Sequence, residues 1–216
     1  MASLLVDRSV RTGGVLFAVA AAQFVVVMAV VQQRYANYSL SQNYISDLGG
    51  AHSPWALLFD ASVILLGLLT ILATLLAWNA FDDRPSRAFG LFLLMVAGAG
   101  AVGVGVFPET TPVLNGGAHV IASDVAFLGA GLAFLVLSFA MRNPPHWHFS
   151  SSYTLLSGLV VLIAIGLFLS GTYLGLGPGG TERLIVAPVL LWGIVVGVHL
   201  AGLPRFAASR IHSRPA

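Results

Sequence analysis

TGGVLFAVAAAQFVVVMAVVQ, residues 12–32, runs without a single charged side chain. Crossing the ~30 Å hydrocarbon core of a bilayer takes about 20 apolar residues at 1.5 Å of rise each, so this stretch reads as a membrane span. Arg8 and Arg11 precede it and Arg34 follows it. The run is too long for a signal-peptide core and lacks a small-residue cleavage site, so it is expected to be retained. Reading outward, comparable apolar runs recur at 54–80, 88–107, 117–141, 151–176 and 184–203. The expected fold is all-α: a single bundle of six transmembrane helices forming one integral membrane domain over residues 1–216, with a short interfacial helix after the first span.

Composition points the same way. Of 216 residues, 57% are hydrophobic and 8% charged, with a mean hydropathy of +0.91, whereas about a quarter of a soluble protein is charged. The absence of cysteine removes disulfides, thiolate metal sites and cysteine nucleophiles from consideration. The basic residues are all arginine and thinly spread, a pattern that speaks for topology rather than for nucleic-acid binding. Arg8, Arg11, Arg84, Arg87, Arg142, Arg205, Arg210 and Arg214 fall on one side of the spans, and only Arg34 and Arg183 on the other. Positive loops stay in the cytoplasm, so both termini are expected there. The acids divide differently: Asp47, Asp60, Glu109, Asp124 and Glu182 fall on or below the opposite, outward face.

The loop after the first span, SLSQNYISDLGG at 39–50, is the polar exception between two apolar runs. Ser39 followed by Gln42 is a capping-box pattern, Leu40, Tyr44 and Leu48 recur every four residues, and Gly49 suits a helix end. A short helix lying on the membrane surface is expected, with Asn43, Ser46 and Asp47 on its polar side. Asp60 comes six residues past Pro54, roughly 9 Å into the second span, and Asp124 five residues past His119. Ionisable groups inside a span are functional candidates by default, although pairing near the interface would also explain them.

A local repeat links these positions. Gly49-Gly50-Ala51-His52 precedes the second span and Gly116-Gly117-Ala118-His119 precedes the fourth, each followed by an Asp. His52 and His119 are therefore the weak metal candidates, with Asp47, Asp60 or Asp124 completing a zinc site that leaves one position open for water. No two of these residues form a recognised ligand motif, so the expectation is no cofactor, with zinc as the alternative. Glu182 and Arg183 follow a Gly-Pro-Gly-Gly turn at 177–180. The acid suits the first turn of a helix, and the guanidinium fork suits an anionic group such as a lipid phosphate. Gly98, Gly100, Gly103 and Gly105 give the third span a small-residue surface for close helix approach.

Taken together, Asn43-Tyr44-Ile45-Ser46-Asp47-Leu48-Gly49, Gly105-Val106-Phe107-Pro108-Glu109 with His119 after it, and Glu182-Arg183 leading to Trp192 resemble domain-of-unknown-function family 998, prokaryotic six-span membrane proteins. The resemblance covers most of the chain. It implies a six-helix bundle in the cytoplasmic membrane, and it marks Ser46, Asp47, His119, Glu182 and Arg183 as matched positions. It implies no activity. From the residues themselves, the expected function is an outward-facing polar pocket that binds a lipid head group or small polar ligand. Asp47, His119 and Asp124 are its catalytic candidates for a lipid-modifying hydrolase or transferase, and Asn43, Ser46, Asp60, Glu182 and Arg183 its ligand-binding candidates. The expected partners are membrane lipids. The alternative is a non-catalytic accessory or scaffold subunit that meets another membrane protein through the third span.

Overall fold

The computed structural model describes residues 2–81, 85–142 and 147–202, the first few by backbone alone. Arg84, Arg205, Arg210 and Arg214 lie outside the described residues. Six helices follow in order: α1 Ala2–Arg34, α2 Ala56–Leu76, α3 Pro85–Val106, α4 Gly117–Ala140, α5 His148–Leu169 and α6 Gly177–Gly202. All six are long and apolar enough to cross a membrane. Each packs against its neighbours in sequence, and α6 returns to α1, so the helices close into a ring. The closing seam depends on glycine. A Cβ on Gly14 would meet the Gly197 carbonyl oxygen at 2.5 Å, and one on Gly197 would meet that of Gly14 at 2.6 Å, so only hydrogens fit between the two backbones.

Helix boundaries depart from the apolar runs where backbone chemistry outweighs hydropathy. The fifth helix stops at Leu169 rather than 176, because Gly171, Leu174 and Gly175 take left-handed conformations with φ of 69°, 49° and 80°. The sixth starts at Gly177 rather than 184, since Pro178 is well accommodated in a first turn whose N–H groups lack helical partners. Glu182 and Arg183 therefore sit in the second turn of α6 instead of opening it.

The loop at 39–50 is less helical than its pattern predicts. Ser39–Asn43 makes one turn, in which the Asn43 N–H donates to the Ser39 carbonyl at 2.8 Å. The capping interaction forms, with the Gln42 N–H donating to Ser39 Oγ at 3.3 Å, but Asn43 Oδ1 rather than Gln42 accepts from the Ser39 N–H, at 3.0 Å. A 3₁₀ turn at Ser46–Gly49 completes the segment. A longer helix is unnecessary because α6 satisfies the loop backbone directly: the Gly179 N–H donates to the Ser41 carbonyl at 2.9 Å.

The glycines of α3 face inward. A Cβ on Gly100 would meet Ala126 Cα at 2.8 Å and the Ala122 carbonyl at 2.9 Å, while Gly98 abuts Ile71 and Gly105 abuts Ile64. That small-residue surface is thus filled by α2 and α4 of the same chain. At the ring end where α1 begins, aromatic side chains fill the centre. Trp192 stacks on Phe134 at 4.5 Å and donates Nε1–H to Thr154 Oγ1 at 2.8 Å, and Trp147 lies against Phe81 at 5.3 Å and His199 at 4.8 Å. The opposite end is built from polar groups and encloses cavities.

Candidate functional site

The polar end is held by Arg183. Its Nη1 donates to the carbonyls of Leu40, Asn43 and Gly179 at 3.0, 3.0 and 2.8 Å, and its Nη2 donates to the Tyr38 hydroxyl at 2.6 Å. These donors pin the 39–43 turn onto the start of α6. Gly179 is required for that contact, since a Cβ there would overlap Asn43 and approach the Leu40 carbonyl at 3.0 Å. Tyr38 is half-buried, and that burial pushes its hydroxyl up to about 12 in spite of the adjacent guanidinium.

Pinning the turn also positions residues 44–49. Asp47 Oδ2 accepts from the Asn43 side-chain amide and from the Tyr44 N–H, both at 2.9 Å. Glu182, buried in α6, accepts from the Ile45 N–H through Oε2. Two carboxylates thus organise the backbone of one short loop, each using oxygen to satisfy a donor that would otherwise be unpaired. Glu109, at the exposed turn after α3, stands beside Asp47 and Ser46. Partial burial of its carboxyl raises its pKa first, and repulsion by Asp47 adds to the effect, with nearby His119 opposing it.

His119 sits in the first turn of α4, 8% exposed. Its Nδ1 lies 2.8 Å from the Phe107 carbonyl. A carbonyl only accepts, so Nδ1 carries the proton in this contact and Nε2 is directed elsewhere. Nε2 has no hydrogen-bond partner among the described residues. His119, Ser123 and Phe127 follow one another at four-residue intervals along the inner stripe of α4, and Val120, Asp124 and Leu128 form the stripe beside it.

Both stripes wall a cavity of about 300 Å³ between α4 and α5. Its polar end carries Ser46, Glu109, His119 and Glu182, and its flank is apolar, with Phe127, Leu128, Ile165, Phe168 and Leu169. Val120, Leu128 and Leu169 are exposed on the outside of the bundle, so the cavity meets the apolar surroundings sideways and the aqueous end through Glu109. A second, apolar cavity of about 120 Å³ lies at the centre of the ring and shares Ser46, His119, Ser123, Phe127 and Glu182 with the first.

The sequence candidates therefore separate. Ser46, His119 and Glu182 line both cavities, whereas Asp47 lines neither and holds the loop above them, hydrogen-bonded to Asn43. Asp124 stands at the sideways mouth, exposed and on the cavity wall. Asp60 lies on the far side of the 3₁₀ turn, its carboxylate against Gly49, and lines neither cavity. His52 is exposed and lines neither cavity, so the two Gly-Gly-Ala-His segments do not place matched histidines in one site. Among the described residues, no three His, Asp or Glu side chains are grouped as metal ligands. Glu109, Ser123 and Tyr38 are not among the sequence candidates. Glu109 carries a signal, as an acid directly after the third span, and Ser123 another, one helical turn past His119; Tyr38 carries none.

The profile of the family described as "Protein of unknown function (DUF998)" matches residues 18–199, and the chain belongs to that family. Comparison with curated proteins and with solved structures returned no match.

Proposed function

We propose, from this membership as premise, that the chain binds a membrane amphiphile in the cavity between α4 and α5, head group at the polar end and tail lying sideways in the bilayer. The observation that supports this reading is the cavity's two-ended wall: buried His119 and Glu182 at one end, outward-exposed Val120, Leu128 and Leu169 at the other. An apolar flank that opens sideways gives a lipid tail a place in the bilayer while its head group reaches the buried polar groups. The polar end is proposed to face away from the cytoplasm, with both termini inside. Arg8, Arg11, Arg87 and Arg142 gather at the aromatic end, against Arg34 and Arg183 at the polar end.

Hydrolysis or group transfer is a compatible chemistry. His119 lines a cavity that also presents the Ser46 and Ser123 hydroxyls, the residue types that proton transfer to or from a bound group would use. Stabilisation of anionic charge by Arg183 does not belong to that proposal, because its Nη donors already hold the loop. The scaffold alternative through α3 is not favoured either, since Gly98, Gly100 and Gly105 are filled by α2 and α4. The test is native mass spectrometry of the purified chain and of Leu128→Trp, which fills the cavity from its lipid-facing side. The expected result is a co-purifying lipid-sized adduct on the wild type that falls at least about fivefold on the variant. Equal adduct on both, with both folded by circular dichroism, overturns the reading.

A further inference from the structure

The charge balance around the cavity narrows what its head group can be. Asp47, Glu109 and Glu182 bring three carboxylates to one end, and the cation beside them, Arg183, faces the loop rather than the cavity wall. Among the described residues, no Arg lines the cavity. An anionic head group would enter against that field with no donor fork to receive it. Two further observations, independent of the acids, point to a cation. His119 is buried, and its Nε2, an acceptor in the neutral tautomer, is without a partner among the described residues. The rings of Tyr44 and Phe168 meet at 5.8 Å on the same wall, with Phe127 also lining it, so aromatic surface lies beside the acids. Carboxylates with aromatic faces are the surroundings in which ammonium groups are bound.

Resting on the proposed amphiphile reading, we infer that the cavity selects head groups carrying a cationic nitrogen, recognised by Glu109 and Glu182 and by the aromatic wall of Tyr44, Phe127 and Phe168. A primary ammonium also donates an N–H to His119 Nε2.

The step has a proton balance. Glu109 lines the cavity, and its carboxyl is held above its ordinary range, first by partial burial and then by Asp47. Pairing with an arriving ammonium requires it ionised, so its proton leaves to solvent and affinity rises with pH. The groups facing Glu109 are Asp47 and Ser46 from the loop and His119 from α4, with Glu182 and Tyr44 nearby.

The experiment measures binding of dodecylammonium, dodecanol and dodecyl phosphate to the full chain in nanodiscs, for the wild type, Glu109→Gln and Leu128→Trp. The expected order is ammonium at least about tenfold tighter than the alcohol and the phosphate weakest. Ammonium affinity should increase with pH while alcohol affinity stays flat. Glu109→Gln, at an exposed position, should remove most of the preference without lowering the thermal midpoint. If all three probes bind equally and Leu128→Trp abolishes them, the amphiphile cavity stands and the head-group inference falls. If Leu128→Trp changes nothing for any probe, the cavity reading itself falls, and the inference with it.

Discussion

The two ends of this ring of helices solve the same problem in opposite ways. At the end where α1 begins, the centre is closed by large rings: Trp192 and Trp147 are 2% and 1% exposed, and the one polar atom of Trp192 is satisfied by Thr154. At the other end the centre is closed by a loop, held by Arg183 and by two carboxylates that accept backbone N–H groups. Ring packing fills volume and leaves no room, whereas a loop held through hydrogen bonds roofs over space that it does not occupy. The cavities accordingly lie under the loop. On the proposed reading, binding depends on the loop end and not on the aromatic end, and a substitution at the aromatic end that also removes binding would contradict that division.

The largest effect should come from the aromatic end. Trp192→Ala removes the stack on Phe134 and the edge contact with Phe17 at 5.6 Å, and it leaves Thr154 Oγ1 without its donor. The expected loss is about 3–5 kcal/mol, measured by thermal unfolding in detergent. Amphiphile occupancy per folded molecule should be unchanged. A comparable loss of occupancy would show that the ends are coupled.

Gly179→Ala should give the next largest effect, about 1–3 kcal/mol, through the methyl that overlaps Asn43. Here the ordering of outcomes reverses. The turn at 39–43 loses its seat on α6, so occupancy of the cavity should fall together with stability, and hydrogen exchange should rise over 39–50 before anywhere in α2–α5. Uniform exchange across the bundle would argue that the loop is not a separate unit.

How much of this is legible in the sequence depends on which force sets each feature. The number of helices is readable because span length is imposed by bilayer thickness and needs no tertiary information. The ends of α5 and α6 are not, because left-handed Gly171 and Gly175 and the first-turn Pro178 override hydropathy locally. Ser46, Asp47, His119 and Glu182 are recoverable as rare polar residues near the ends of spans. Their separation from Asp60 and His52 is not, since depth along a helix says nothing about which side of a neighbouring loop a side chain reaches. Arg183 reads in the sequence as a ligand-binding cation for a similar reason: a guanidinium fork suits a phosphate and a set of carbonyls equally well, and only the fold supplies the carbonyls.

Arg183→Lys tests the same division at a smaller scale. An ammonium keeps the charge beside Glu182 but cannot span three carbonyls and a hydroxyl as the planar fork does. About 1–2 kcal/mol should be lost, with looser protection of the 39–43 backbone. A phosphate-bearing amphiphile should lose no more affinity than the matching alcohol. If phosphate binding collapses selectively instead, the guanidinium is serving a ligand and the loop contacts are secondary.

The smallest effect is a matter of pH. Partial burial first, then Asp47, holds the Glu109 pKa above its ordinary 4.5. For an acid raised on folding, the native state keeps its proton more tightly than the unfolded chain does. The stability this contributes is complete below the unfolded value and is lost as pH rises through the folded one. The thermal midpoint of the wild type should therefore decline over the interval that opens near 4.5, relative to that of Glu109→Gln, and the two curves should run parallel at higher pH. The difference should be small because Glu109 is exposed and solvent screens it. It should shrink, without vanishing, in Asp47→Asn, which removes the repelling charge but not the burial, while Trp192→Ala should leave it intact. An undiminished difference in Asp47→Asn would mean that desolvation alone sets the Glu109 carboxyl. No charge coupling would then tie Glu109 to the loop, and the polar end would lose a feature that distinguishes it from the aromatic one.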